Sequence, residues 1–207
     1  MEINKRYKQN ILIPDQFLTQ NEVGCLLKSI DTRTFLGKRD KVILLLFLNT
    51  GLRKNELLSL NIENYKKENN DYWLEFKAKG GQIHIQNISQ IEVIKAVDSY
   101  LKLWKIENNE LEPIFQSTYD CKNKSGKRLS KQSLEFMLKK YGKQAGIQKK
   151  LNIHMLRHTA GSEFYRLTQN LPLTQMFLRH KSINSTLIYM HADKTKVKEV
   201  QKLMFKN

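Results

Sequence analysis

Cysteines are scarce in this 207-residue sequence, and it has no long hydrophobic run. The two cysteines, Cys25 and Cys121, lie far apart in different contexts, which excludes a disulfide framework and favours a reducing cytoplasm. The first ten residues have no apolar core of the signal-peptide kind. The longest apolar run, at residues 42–48, is too short to cross a bilayer. We therefore expect a cytoplasmic protein with no membrane association.

Acidic residues are also in short supply. The chain has 20 Asp and Glu against 36 Lys and Arg, which gives a net charge of +16. So basic a balance predicts a polyanionic partner, and nucleic acid is the first choice. The other interpretation is a solvated, lysine-rich surface that binds no polyanion. The length suits one domain of above-average size, or one domain with a small appendage.

The hydrophobic pattern predicts a mainly helical fold with one small antiparallel sheet. Thr19 and Glu22 have the spacing of a capping box at the start of a helix that continues to residue 30. A buried helix over 39–51 ends at Gly51 and is followed by one or two more helical turns. Further helices are predicted over 89–106, 130–146, 152–168, 171–180 and from residue 193 onward.

Residues 71–88 alternate between apolar and polar side chains on both sides of Gly80-Gly81, which predicts a hairpin. Ile83 and Ile85 supply the apolar positions of its second strand. In the helix that follows, five apolar residues lie close to helical period and are expected to face the core: Ile91, Ile94, Val97, Leu101 and Trp104.

Two polar clusters interrupt these apolar segments. Arg53 directly follows the buried helix, and Glu56, three residues later, is placed to orient it; the alternative is a structural ion pair. Lys79 lies at the hairpin tip beside two glycines, which let the backbone approach a ligand. It competes with Lys77 for that role, and an exposed turn lysine is the simpler interpretation.

Histidines mark the other two clusters. His154 and Arg157 are three residues apart on one helix, so both reach the same anionic group, whereas we expect His158 to lie on a different face and pack locally. His180 precedes Tyr189 by nine residues (189 − 180). No carboxylate or cysteine accompanies the histidines at ligand spacing, so we expect neither a metal ion nor another cofactor.

Together these side chains suit phosphoryl transfer without a metal ion. Two guanidinium groups neutralise the phosphate oxygens as charge builds in the transition state. A tyrosine stores the bond energy as a phosphotyrosine, and a lysine protonates the departing oxygen. A phenol with a pKa near 10 is a poor nucleophile at neutral pH, so the cationic surroundings have to activate it.

The order and spacing of these motifs resemble those of the tyrosine recombinases, the phage integrase family. The matching segments read "TGLRKNEL", "KGG", "HMLRHT" and "HKSINSTLIY". The resemblance covers about residues 17–207. It implies the family's catalytic-domain fold and an active site of six residues oriented by Glu56: Arg53, Lys79, His154, Arg157, His180 and Tyr189.

The resemblance also implies the reaction and the partners. Tyr189 would attack a phosphate of a double-stranded recombination site, leaving a 3′-phosphotyrosine and a free 5′-hydroxyl that resolves through strand exchange in a tetrameric synapse. We expect a basic arm over 1–16, a catalytic domain over 17–192 and a C-terminal helix over 193–207. That helix either docks on a neighbouring protomer or packs back on its own core.

The sequence departs from the family pattern at several points. Arg179 replaces the glycine usual before the active-site histidine; it either adds a phosphate contact or changes how the turn packs. There is no room for the family's N-terminal DNA-clamping domain, so the chain looks like a short, invertase-like member or a fragment of a longer integrase. The residues expected to meet DNA are Lys122, Lys124, Lys127, Arg128, Lys139, Lys140, Lys143 and Arg179.

Two other functions remain open from the sequence. One is a basic accessory protein that occupies recombination sites without cleaving them. The other is a relative with the same chemistry but no synapsis, such as a type IB topoisomerase or a telomere resolvase. Whether the reaction is integration, inversion or dimer resolution depends on the DNA site, which a single chain does not specify.

Overall fold

The computed structural model of the chain describes residues 14–77, 81–104, 111–117 and 127–189. These residues form seven α-helices and one three-stranded antiparallel sheet, which confirms the mainly helical fold class. The helices are α1 (Gln20–Lys28), α2 (Phe35–Thr50), α3 (Lys54–Ser59), α4 (Ile91–Trp104), α5 (Lys131–Gln144), α6 (Ile153–Thr168) and α7 (Leu171–Leu178). The strands are β1 (Tyr65–Glu68), β2 (Asp71–Lys77) and β3 (Ile83–Asn87).

Helix α2 is the central element of the core. Its residues are apolar on every side from Val42 to Phe47, and all six are buried. A helix with this pattern is stable only when neighbours cover its whole circumference. Helices α4 and α6 pack against it. Because α6 carries the "HMLRHT" motif, the same packing brings that motif to the end of α2.

The helix ends follow the sequence signals. Thr19 and Glu22 form the predicted capping box at the start of α1. Gly51 ends α2 in the left-handed conformation with a φ of 58°, where glycine carries no side-chain penalty. The chain then continues into α3, so that Arg53 emerges directly from the buried end of α2.

The sheet has the order β1–β2–β3, and the predicted hairpin supplies β2 and β3. Strand β1 was not predicted, because "YKKE" has no apolar alternation. The apolar residues of β3 face outward: Ile83 and Ile85 are 61% and 63% exposed. The half-buried face of β3 instead carries His84 and Gln86, which lie opposite Phe76 and Leu74 of β2.

The predicted apolar stripe of α4 is confirmed in part, because Val97 is buried and Ile94 and Leu101 pack against the core. Val93, Val97 and Tyr100 are its buried residues, whereas Ile91 is 66% exposed. The three buried positions follow an i, i+4, i+7 spacing, which is as regular as the spacing chosen from the sequence. Contact with α2, which lies far away in the chain, decided between the two stripes.

Several predictions fall on residues outside those described: residues 1–13 of the basic arm, Lys79, Lys122, Lys124 and the C-terminal helix. Among the described residues, no helix is both long enough and apolar enough to span a membrane.

We predict that Gly51→Ala destabilises the protein by about 2–4 kcal/mol. An alanine Cβ at this position would lie 2.8 Å from a Leu178 methyl, so the site would be overpacked. Alanine is also less stable than glycine in the left-handed conformation, and the two costs add. Gly146→Ala is the matched control, since Gly146 has a φ of +69° but open space around it. Urea unfolding of both variants measures the difference, and equal destabilisation would contradict the role of the Leu178 contact.

Candidate active site

Arg157 is the buried centre of the site. It lies in the first half of α6, and its two terminal nitrogens donate to the carbonyl oxygens of Gly51 and Leu178. The side chain thus joins the C-terminal ends of α2 and α7. Burial lowers the pKa of Arg157 to about 10, and the nearby cations Arg53 and Arg179 act in the same direction. The guanidinium is still charged at neutral pH.

Arg53 lies near Arg157 and is more exposed to solvent. Its Nη1 donates to Glu56 Oε1 at 2.8 Å, and its main-chain N–H donates to Glu56 Oε2 at 2.8 Å. Its Nη2 donates to the carbonyl oxygen of Arg179 at 3.0 Å. The Arg53 side chain remains 44% exposed, so it is oriented by buried partners while part of it faces outward. The predicted pairing with Glu56 is present.

Glu56 is a buried carboxylate with two cationic partners. Burial by itself would raise its pKa, but hydrogen bonds from Arg53 and the charges of Arg179 and Arg53 outweigh that effect and lower it. Glu56 is therefore ionised at neutral pH. It holds the arginines in place without leaving a buried charge unpaired.

The two histidines of α6 lie on one face, and the expectation that His158 faces elsewhere was wrong. The ring centroids of His154 and His158 are 4.2 Å apart. The spacing of four residues was the signal that the sequence offered, since i and i+4 share a helix face. Burial lowers the pKa of His158 to about 4, with contributions from His154, Arg157 and His180.

His180 follows the last turn of α7 and belongs to the same cluster. Its Nδ1 lies 2.9 Å from the hydroxyl oxygen of the buried Thr186, which fixes the orientation of the ring. Burial, together with the charges of Arg157 and Arg53, lowers the pKa of His180 to about 4. Arg53 of the "TGLR" motif and Arg157 of the "HMLRH" motif therefore both lie close enough to His180 to lower its pKa.

Tyr189 is buried beside these histidines, with 1% of its surface exposed. Its hydroxyl lies 3.0 Å from His158 Nδ1, and its ring is nearly parallel to that of His180, with centroids 6.3 Å apart. Gly161 leaves the space for the phenol, because a Cβ there would lie 2.7 Å from Tyr189 Cζ. Burial raises the pKa of Tyr189 to about 12, although Arg157 opposes the shift.

Of the three apolar residues in the segment before Tyr189, only Ile188 packs against the buried cluster of Leu178 and Tyr189. Ile183 and Leu187 are 37% and 39% exposed. The buried residues are Thr186 and Tyr189 itself, each at the end of a short 3-10 turn, Ile183–Ser185 or Leu187–Tyr189. Tyr189 thus anchors this segment in the described structure.

Arg179, which we expected among the DNA contacts, turns into the protein. Its guanidinium donates to Gln86 Oε1 and, at 3.2 Å, to Glu56 Oε2. It also lies over the ring of Phe76, 5.4 Å from the centroid. Its side chain is only 9% exposed. The second alternative left open by the sequence, a change in packing at this turn, is what the structure shows.

Arg128 is also bound internally. Its Nη1 donates to the carbonyl oxygens of Leu58 and Leu60, and its Nη2 donates to Asn61. Arg128 is nonetheless exposed, and so are four lysines of the predicted DNA-binding set: Lys127, Lys139, Lys140 and Lys143. The last three lie along the outer face of α5, which is joined to α3 by an ion pair of 2.6 Å between Lys54 and Glu135.

Chemically, the site combines two arginines at different depths, three neutral imidazoles and a phenol. The pKa of His154 is lowered too, by burial and by Arg157 and Arg53. Such a group is suited to an oxyanion that the arginines neutralise, with imidazoles as hydrogen-bond or proton-transfer partners. Among the described residues, no three His, Cys, Asp or Glu side chains are grouped as metal ligands.

The chain belongs to the phage integrase family, whose family model matches residues 16–196. It is 30% identical to tyrosine recombinase XerH of Helicobacter pylori over 194 residues, which are 92% of this chain and 52% of the relative. It is 33% identical to tyrosine recombinase XerC of Caldanaerobacter subterraneus over 88% of this chain and 49% of the relative. The chain thus spans about half the length of these relatives.

Solved structures give the same result for the fold. The pre-cleavage complex of XerH with its difH substrate matches with a TM-score of 0.73 and 26% identity, over 93% of this chain and 55% of that one. The catalytic domain of bacteriophage HP1 integrase matches with a TM-score of 0.57 and 21% identity, over 91% of this chain and 94% of that one. The fold is therefore that of a tyrosine-recombinase catalytic domain.

We predict that stability falls as the pH is lowered from 6.5 to 4. The folded chain keeps His158 and His180 neutral until about pH 4, whereas the unfolded chain binds protons near 6.5, so acid favours unfolding. His158→Gln should make this decline shallower, by on the order of 2 kcal/mol over the interval. Thermal unfolding at several pH values tests this prediction, and His84→Gln on β3 is the matched control. If stability depends on pH as steeply in His158→Gln as in the unmodified protein, the prediction is wrong.

Proposed function

We propose that this chain is the catalytic part of a site-specific DNA recombinase that cleaves and rejoins DNA strands through a 3′-phosphotyrosine at Tyr189. One observation carries the proposal: Arg53, Arg157, His154, His180 and Tyr189, from four separate segments of the chain, converge on one site. Similarity to recombinases, one of them solved with its DNA substrate, supports the same conclusion.

The proposed reaction consists of two transesterifications. The Tyr189 oxygen attacks phosphorus as its own proton passes to a neutral imidazole of the site, a P–O bond to tyrosine forms, and the bond to the 5′ oxygen breaks as that oxygen gains a proton. A 5′-hydroxyl from a partner strand then attacks the phosphotyrosine, which restores a phosphodiester and releases the phenol. Arg53 and Arg157 stabilise the charge on the nonbridging oxygens in both steps. Lys79 is the proton donor proposed from the hairpin sequence.

The burial of Tyr189 adds a conformational step to this proposal. A phenol that is 1% exposed and hydrogen-bonded to His158 does not reach a phosphate on DNA. Its pKa of about 12 also keeps it protonated. We propose that DNA binding moves the 3-10 turn Leu187–Tyr189, so that the phenol exchanges His158 for the phosphate and its arginines.

Double-stranded recombination sites are the proposed substrate, bound in part by α5. Its exposed face carries Lys139, Lys140 and Lys143, and the Lys54–Glu135 ion pair places this helix next to α3, which follows Arg53. A row of lysines beside the phosphate-binding arginines is suited to the DNA backbone. Self-association into a tetrameric synapse is part of the same proposal, because strand exchange needs two duplexes with two cleavage sites each.

We predict that the chain forms a covalent adduct with DNA and that Tyr189→Phe abolishes it. Incubation with a library of nicked duplexes, whose short fragment diffuses away after cleavage, traps the adduct and reveals the preferred site. Tyr165→Phe is the matched control, since Tyr165 is a half-buried tyrosine packed against the same Tyr189–Leu178 cluster. Denaturing electrophoresis detects the adduct.

Each outcome separates one function from another. Binding without any adduct, over the whole library, would indicate the non-catalytic accessory protein. An adduct in Tyr189→Phe would show that another residue is the nucleophile. Relaxation of supercoiled DNA without recombinant products would indicate a topoisomerase-like enzyme.

We also predict that the affinity for DNA depends steeply on salt. Six to ten phosphate contacts would lower it by about 10³- to 10⁵-fold between 50 and 200 mM salt. Lys139→Gln and Lys143→Gln should each reduce the slope of log affinity against log salt by about one contact. Fluorescence anisotropy with a labelled duplex measures the slope. Slopes equal to that of the unmodified protein would exclude these lysines from the interface.

A further inference from the structure

Arg179 occupies a position where its side chain is costly. It ends α7 with a φ of 54°, the left-handed conformation that favours glycine. It also places a cation in the interior, with its Nε buried and without a hydrogen-bond partner among the described residues. Two penalties at one residue indicate that the side chain has a role that glycine would not fill.

The contacts of Arg179 reach both the sheet and α3. Its Nη1 binds Gln86 on β3, its Nη2 binds Glu56 on α3, and the plane of the group lies over Phe76 on β2. Gln86 is a polar residue on the face of β3 that turns inward, while Ile83 and Ile85 face solvent. The inward-facing amide of Gln86 supplies the hydrogen-bond acceptor for Arg179 on the hairpin.

The same residue controls the surroundings of Arg53. Its carbonyl oxygen accepts a hydrogen bond from Arg53 Nη2 at 3.0 Å, and its guanidinium shares the Glu56 carboxylate with Arg53. One carboxylate between two guanidinium groups leaves a net positive charge. Without Arg179, Glu56 would compensate Arg53 alone, and less of the Arg53 charge would be left for a phosphate.

We propose that Arg179 is a positioning residue for DNA cleavage. It joins the β2–β3 hairpin to Arg53 through Gln86 on one side and Glu56 on the other, and it keeps Glu56 from neutralising Arg53. The inference rests on the proposed function, since the group that it positions is the phosphate-binding arginine. The two strands of the hairpin also flank Lys79 in the sequence. The attachment of the hairpin through Arg179 therefore concerns both the phosphate-binding Arg53 and the proposed proton donor Lys79.

The test is the single-turnover rate of adduct formation by the full chain at saturating nicked DNA, below the unfolding temperature. Arg179→Met keeps much of the side-chain volume and removes the charge and the hydrogen bonds. We expect a rate about 10- to 100-fold lower, with the dissociation constant for DNA and the final adduct yield little changed. Arg179→Lys should restore part of the rate, because it keeps the charge but not the forked donors.

Further variants separate positioning from a purely structural role. Arg179→Gly relieves the left-handed backbone, so a residue needed only to end α7 would tolerate it; we expect it to be as slow as Arg179→Met. Gln86→Leu removes the hairpin contact and leaves every charge in place. We expect it to be slow as well, and the Gln86→Leu, Arg179→Met double variant to be no slower than Arg179→Met alone. Arg33→Met, at an exposed arginine, controls for the lost charge.

The possible failures can be told apart. If the unmodified chain forms no adduct with any DNA, the proposed function is wrong and the inference fails with it. If the unmodified chain cleaves and Arg179→Met cleaves at the same rate, with only a lower unfolding temperature, Arg179 is merely structural. Should Arg179→Met not fold, Gln86→Leu and Arg179→Lys decide the matter, and normal rates in both would overturn the proposal.

Discussion

The site depends on one buried cation. The Arg157 guanidinium donates to the last carbonyl groups of α2 and α7, at Gly51 and Leu178, and thereby brings together two helix ends that lie far apart in the chain. Those carbonyls have no partner within their own helices, so a cation there satisfies them and interacts favourably with both helix dipoles. Arg53 follows directly after one end, and His180 follows directly after the other. The interaction that stabilises the junction therefore also brings together the residues of the proposed active site.

A second constraint is the balance of charge around that cation. Arg53 and Arg179 lie close enough to Arg157 to add to the effect of burial and lower its pKa. Glu56 is the carboxylate that compensates these cations. Burial lowers the pKa of all three histidines of the site, and the positive charge around them acts in the same direction. A site of this kind is prepared for an anion, and arrival of a phosphate relieves the repulsion between its cations. The same positive charge is what would make a phenol usable as a nucleophile.

Much of this protein was predictable because the relevant signals are local. The spacing within "TGLRKNEL" and "HMLRHT" fixed which side chains share a helix face, and Gly51 marked the end of α2. The mistake over His158 was avoidable, since a separation of four residues already places it beside His154. The hairpin was also found from alternation alone, but not the face of β3 that turns inward. That choice depends on Gln86 meeting Arg179, 93 residues away.

By itself, then, the sequence determined the helices, the hairpin, the excess of positive charge and the set of residues proposed to act on phosphate, because these follow from composition and from spacings of a few residues. Only the tertiary structure decided that Arg179 turns inward to Glu56 and Gln86, and that Tyr189 lies buried against His158. Those outcomes depend on contacts between segments 31 to 123 residues apart in the chain, whose free energies are set by burial and pairing. No local pattern records them.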